Sequence, residues 1–208
     1  MPDNSQVCFT REKRNADQNF VVNTDGSHLR RLPDTIPNTE SGAFSFDGKF
    51  LYLTGYGTIP HLETWRVTLE NFSAEPIAKG CGFSMDASPD GRYLLMPSMY
   101  GDHVGIFELS TADKKCRPLV PNVTTFLPRF SSDGKSLLYT VSARGAVLLY
   151  RLPLRDGQAA GPAQQVLKLP FAFPQRAEGN TYDVARDLSK IVYLRPGGQF
   201  DLYFLSRK

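Results

Sequence analysis

The chain has 208 residues, 41% hydrophobic and 22% charged, which supplies a packed core and argues against a disordered chain. Its 17 Gly and 15 Pro, with 9 Tyr, 14 Phe and 1 Trp, favour a turn-rich β protein and exclude collagen, a coiled coil and a small disulfide scaffold. Lys and Arg number 24 against 21 Asp and Glu, a net of +3, too mild a surplus to argue for nucleic acid as a partner.

The first residues, MPDNSQVCFTREKR (1–14), contain no apolar leader. Taken as written, the chain reads as cytoplasmic; as a piece of a longer protein it would be periplasmic or otherwise extracytoplasmic. No stretch reaches the ~18 apolar residues of a membrane span, so no membrane insertion is expected. Arg11, Lys13 and Arg14 are interrupted by Glu12 and read as a solvated loop. VCFTREKR (7–14), QNFVVNT (18–24) and HLRRLP (28–33) read as three strands, the last two joined at Asp25-Gly26.

A repeat then organises the chain. AFSFDGKFLYLT (43–54) recurs as DASPDGRYLLMP (86–97), RFSSDGKSLLYT (129–140) and a worn copy, DVARDLSKIVYL (183–194). Its Asp-Gly pairs stand at 47/48, 90/91 and 133/134, with Asp187 in the last copy. Each copy reads as a β-hairpin closed by a two-residue type I′ turn. Third strands follow at 63–69, 104–110, 146–152 and 201–207, and fourth strands at 74–80, 114–120 and 164–170. The longer last interval is attributed to a polar insert, RDGQAAGPAQQ (155–165). Four strands per ~43 residues is the spacing of propeller blades.

The phrases SPDGRYLL, SSDGKSLLYT and VVNTDGSHLRRL resemble the TolB-like, WD-repeat-like β-propeller repeats of bacterial proteins. The predicted fold is therefore an all-β propeller of four-stranded antiparallel blades. It would have a partial blade at 1–38, full blades at 39–80, 81–121 and 122–172, and a partial blade at 173–208. Two partial blades do not merge into one, so either a five-membered ring closes with two thin blades or, the favoured expectation, the chain is an open arc, the C-terminal part of a longer propeller.

Three cysteines, Cys8, Cys81 and Cys116, without any CxxC read as small buried hydrophobes, with a Cys81–Cys116 bridge as the alternative. The nearest string to a nucleophile elbow, 82–86, lacks its second Gly, and no catalytic motif is present. His28, His61 and His103 fall on different blades and read as loop histidines, with no metal site and no cofactor expected. One carboxylate per Asp-Gly turn is too few for calcium. The sequons at Asn71 and Asn122 read as chance matches.

Two candidate sites remain. Ala43, Asp86, Arg129 and Asp183 align at one position of the innermost strands. Asp86, Arg129 and Asp183 could line a polar channel that binds a small polar or cationic ligand. The favoured alternative is buried ion pairs that hold blades in register. The loops between second and third strands carry Tyr56, His61, Met99, Tyr100 and Asp102, residue types suited to a protein or peptide partner. The resemblance implies a non-enzymatic binding scaffold, a sensor or accessory module of a larger bacterial protein, or else the accessory propeller of a hydrolase.

Overall fold

The computed structural model describes residues 5–11, 17–36, 38–56, 62–99, 104–125, 128–143, 145–169, 182–187, 189–195 and 201–206; the side chains of 38, 40, 182–184, 191–195 and 201–206 are not among those described. Among the described residues nineteen strands form five separate antiparallel sheets in chain order, and there is no helix. The first sheet holds β1 (Gln6–Arg11), β2 (Gln18–Asn23) and β3 (Arg30–Arg31). The second holds β4 (Asn38–Phe44), β5 (Phe50–Tyr56), β6 (Leu62–Thr68) and β7 (Ala74–Lys79), and the third β8 (Asp86–Ala87), β9 (Tyr93–Ser98), β10 (Gly105–Ser110) and β11 (Cys116–Pro121).

The fourth sheet holds β12 (Arg129–Phe130), β13 (Ser136–Ala143), β14 (Ala146–Arg155), β15 (Gln158–Ala159) and β16 (Gln164–Leu169). The fifth holds β17 (Tyr182–Val184), β18 (Lys190–Arg195) and β19 (Asp201–Ser206). The strands read from the repeat are present within a few residues of their expected ends.

The core lies between sheets. Val21, Leu32 and Ile36 of the first sheet pack on Leu51, Leu53 and Val67 of the second. Tyr52 and Ile77 of the second pack on Leu94, Met96 and Leu109 of the third. Leu95, Ile106 and Leu119 of the third pack on Phe130, Leu137 and Leu152 of the fourth. The second strands β5, β9 and β13 therefore bury residues on both faces, one towards each neighbouring sheet. This explains runs such as YLLMP and SLLYT that do not alternate apolar with polar.

Two expectations are corrected. The repeated Asp-Gly turns are not type I′, because only their glycines have positive φ: Gly48 at 70°, Gly91 at 71° and Gly134 at 68°. A type I′ turn needs positive φ at both central residues. Here the loop is four residues wide and held by a Ser two places before the Asp. The Gly48 amide donates to the Ser45 carbonyl (3.1 Å), the Phe50 amide to Ser45 Oγ (2.9 Å), and Ser45 Oγ to Asp47 Oδ1 (2.7 Å). Ser88 with Asp90 and Ser131 with Asp133 repeat the pattern. The Ser131 hydroxyl and the Lys135 amide hold the Asp133 carboxyl below its ordinary range. The type I′ geometry occurs instead inside the supposed insert, at Asp156 (φ 49°) and Gly157 (φ 77°). That turn joins an extended β14 to β15.

The second correction concerns the cysteines. Cys81 and Cys116 form a disulfide with Cα atoms 5.8 Å apart, and Cys8 alone is a free thiol. Cys81 follows the end of β7 and Cys116 opens β11, so the bridge ties the outer edge of the second sheet to that of the third. A separation of 35 residues in sequence gives no hint of this closeness, which the stacking of neighbouring sheets creates.

Candidate functional site

The inner strands place the aligned residues as the repeat requires. Ala43 pairs with Tyr52, Asp86 with Leu95, Arg129 with Leu138 and Asp183 with Val192. Asp86 is buried at 2% exposure. Its Oδ2 accepts the Phe130 amide at 2.8 Å and Arg186 Nη1 at 3.0 Å, while Oδ1 accepts Arg186 Nη2 at 2.5 Å. Arg129 Nη1 stands 4.0 Å from Asp86 Oδ1 and donates to the Met85 carbonyl at 3.0 Å. Burial pushes the Asp86 carboxyl up, against the opposing pull of Arg186 and then Arg129.

Arg186 was not singled out from the sequence. It occupies the position before the turn Asp, where the other copies have Phe46, Pro89 and Ser132. Its guanidinium lies 5.4 Å from the Phe46 ring centroid, and its carbonyl accepts the Ser132 amide at 3.2 Å. One residue of the fifth sheet thus touches the second, third and fourth. The departures at Phe46 and Arg186 from the usual repeat were the available signal: they occupy equivalent positions and contact each other. This arrangement is a clamp between blades. Asp183 lies on β17 beside it, and its side chain is outside the described residues.

Of the predicted loop residues, Tyr56 ends β5 with its side chain exposed, and Met99 is half-buried just after β9. His61, Tyr100 and Asp102 lie outside the described residues. Ser84, the serine of the rejected elbow string, is fully buried; its Oγ donates to the Tyr52 carbonyl at 3.3 Å. No group of metal-binding side chains occurs among the described residues.

Two clefts of about 470 Å³ lie between sheets. One separates the third and fourth sheets and is lined by Arg92, Tyr93, Lys135, Arg155, Asp156 and Gly157 among others. Behind its wall Glu108 of β10 is 1% exposed. Glu108 Oε1 accepts Gln158 Nε2 at 3.4 Å, Oε2 has no partner among the described residues, and a side chain on Gly157 would strike it. Burial raises the Glu108 carboxyl to about 7, against the pull of Arg117. Sequence reading missed this carboxylate because nothing in FELS distinguishes an inward Glu from an outward one.

The other cleft separates the first and second sheets. Five consecutive β1 residues, Gln6, Val7, Cys8, Phe9 and Thr10, form one wall. The facing wall holds Thr39, Ser41, Gly42 and Phe44 of β4 and Leu51 and Leu53 of β5. Val7 and Phe9 are 47% and 42% exposed, and Phe9 stacks on Phe20 at 5.4 Å between centroids. Burial pushes the Cys8 thiol up to about 11. This cleft has the largest apolar side chains that β1 leaves open to solvent.

No protein-family model matches the sequence, and no curated protein sequence does. Solved structures do. TolB from Acinetobacter baumannii is similar at 16% identity and a TM-score of 0.72, over 97% of this chain and 50% of that one. Kuenenia stuttgartiensis hydrazine synthase aligns at 14% identity and a TM-score of 0.63, over 100% of this chain and 61% of that one. The Pyrococcus horikoshii acylaminoacyl peptidase aligns at 15% identity and a TM-score of 0.55, over 96% and 36%. The chain spans from about a third to under two thirds of these chains. The likeness is one of fold, shared by enzymes and non-enzymes alike.

Proposed function

We propose that this chain, which has the TolB-like β-propeller fold, is a non-catalytic binding scaffold for a protein or peptide partner. The cleft between the first and second sheets carries this reading. It combines a volume of about 470 Å³ with exposed Val7 and Phe9 and a hydroxyl-bearing rim of Thr10, Thr39 and Ser41. Apolar anchors beside hydrogen-bonding groups are what a peptide partner uses. The Asp86 cluster supports the same reading from the opposite side. Its carboxylate is already occupied by the chain's own Arg186 and the Phe130 amide, as a clamp between blades would be. The Cys81–Cys116 disulfide fits service in an oxidising compartment.

The test is a photo-crosslinking amino acid placed at Phe9, at Tyr56 and, as control, at Arg155 on the cleft between the third and fourth sheets. A partner that crosslinks at Phe9 and not at Arg155, and that binds the purified chain, supports the scaffold. Crosslinking at Arg155 alone, or turnover of a substrate by the purified chain, overturns it.

A further inference from the structure

We infer that the turn joining β14 to β15 is a proton-dependent latch, which closes over Glu108 of β10 when that carboxyl is protonated and lifts from the third sheet when it ionises. The length of β14 supplies the first observation. It takes the place that β6, β10 and β19 have in other sheets, with 10 residues against their 7, 6 and 6. Its far end carries the Asp156-Gly157 turn, and β15 returns by two ladder pairs, Leu154 with Ala159 and Arg155 with Gln158. This extension lies on the third sheet. The Tyr93 hydroxyl donates to the Asp156 carbonyl at 3.0 Å, Arg92 Nη2 stands 3.5 Å from Asp156 Oδ1, and Gln158 Nε2 donates to Glu108 Oε1 at 3.4 Å. A two-stranded hairpin released from such ties is marginally stable at best.

The chamber beneath the turn supplies the second observation. Glu108 is 1% exposed, and its Oε2 has no partner among the described residues. A Cβ on Gly157 would strike that oxygen and come within 2.8 Å of Tyr93 Cζ, so the Gly157 main chain lies directly on the carboxyl. On its own sheet Glu108 stands between Leu95 of β9 and Arg117 of β11. Arg117 and Arg92 favour the carboxylate, and Asp113 opposes it. Both cations are already engaged: Asp113 takes the Arg117 guanidinium, and Asp90 and Asp156 take that of Arg92. Burial outweighs their pull and holds the carboxyl up at about 7.

A neutral carboxyl can stay in this chamber and accept from Gln158. An ionised one needs further donors. The strands on either side of Glu108 cannot admit water without breaking the sheet. The turn can, by giving up three side-chain ties and two ladder pairs. On ionisation the proton passes to solvent, the turn lifts, and water reaches both oxygens. The cleft of about 470 Å³ between the third and fourth sheets has Tyr93, Asp156 and Gly157 in its wall. With the turn lifted, that wall gains the Glu108 carboxylate.

The test is hydrogen exchange at the amides of residues 155–160 in the 208-residue chain, corrected for the intrinsic effect of pH. It is measured at pH 5 and pH 8.5, with and without 1 M urea. The opening constant should rise at least tenfold between the two pH values and lose that rise in Glu108→Gln. It should change less than twofold with urea, because a local release exposes little surface. Tyr93→Phe keeps the carboxyl and removes one tie, so it should raise opening at least threefold at both pH values. Opening that is level with pH, or a rise that Glu108→Gln shares, overturns the inference. A tenfold response to urea means that ionisation unfolds the chain as a whole, and it overturns the latch. Exchange that Tyr93→Phe leaves unmoved does the same.

Discussion

Replacing Asp86 by Ala removes the acceptor around which four sheets meet. Asp86 is 2% exposed and accepts three hydrogen bonds, two from Arg186 and one from the Phe130 amide. Breaking a buried ion pair on one side costs ~3–5 kcal/mol. The side chains of Arg186 and Arg129 keep 28% and 23% of their exposure, so both recover some hydration and the charge contribution falls at the low end. The Phe130 amide loses its partner in a buried setting, for ~1 kcal/mol more. The expected loss is about 4 kcal/mol for Asp86→Ala and about half of that for Asp86→Asn, which retains an acceptor. Urea unfolding read from Trp65 fluorescence measures it; at an m-value of ~3 kcal/mol/M, the upper end for a small protein, the midpoint of Asp86→Ala moves down by ~1 M or more. Asp86→Ala and Arg186→Ala should be non-additive by more than ~0.5 kcal/mol, as members of one network are. A loss below ~1 kcal/mol, or strict additivity with Arg186→Ala, refutes the clamp.

Glu108 sets a pH dependence. Its folded value, raised to about 7 by burial, lies above its unfolded value. Its favourable contribution is therefore complete below the unfolded value and lost as pH rises through about 7; the whole effect is at most ~3.5 kcal/mol. Urea midpoints should fall between pH 5 and 8 for the natural chain and stay level for Glu108→Gln; parallel profiles would show the carboxyl to be ordinary. Reducing the Cys81–Cys116 bridge reopens a loop of 35 residues and should cost ~4 kcal/mol by loop entropy, checked by denaturation with and without reductant against Cys81→Ser/Cys116→Ser. Gly157→Ala should destabilise by ~1–3 kcal/mol, since its φ is +77° and its Cβ meets Glu108. Thermal melts of Gly157→Ala with and without Glu108→Ala separate the two causes, because strain in φ survives the second change while truncating the Glu108 side chain removes its clash with the new Cβ.

The 208-residue sequence determined the sheets, their order and the blade period. Its signals were local: a Ser-x-Asp-Gly loop that closes the hairpin in three of the four copies, and apolar runs long enough to be strands. It also aligned Asp86 with Arg129, because a fixed period carries register from one blade to the next. What it left open was decided between blades. Arg186 reaches Asp86 across 100 residues, and the Cys81–Cys116 bridge and the burial of Glu108 beneath Gly157 likewise join segments distant in sequence. Even the turn type followed this division. An Asp-Gly pair alone permits either geometry, and the Ser two places earlier selects the wider loop in the repeats. In the 155–159 hairpin the tight β14–β15 pairing selects type I′. A sequence period specifies what each blade does for itself. Which side chains meet in the space between blades depends on how the sheets stack, and only the tertiary structure fixes that.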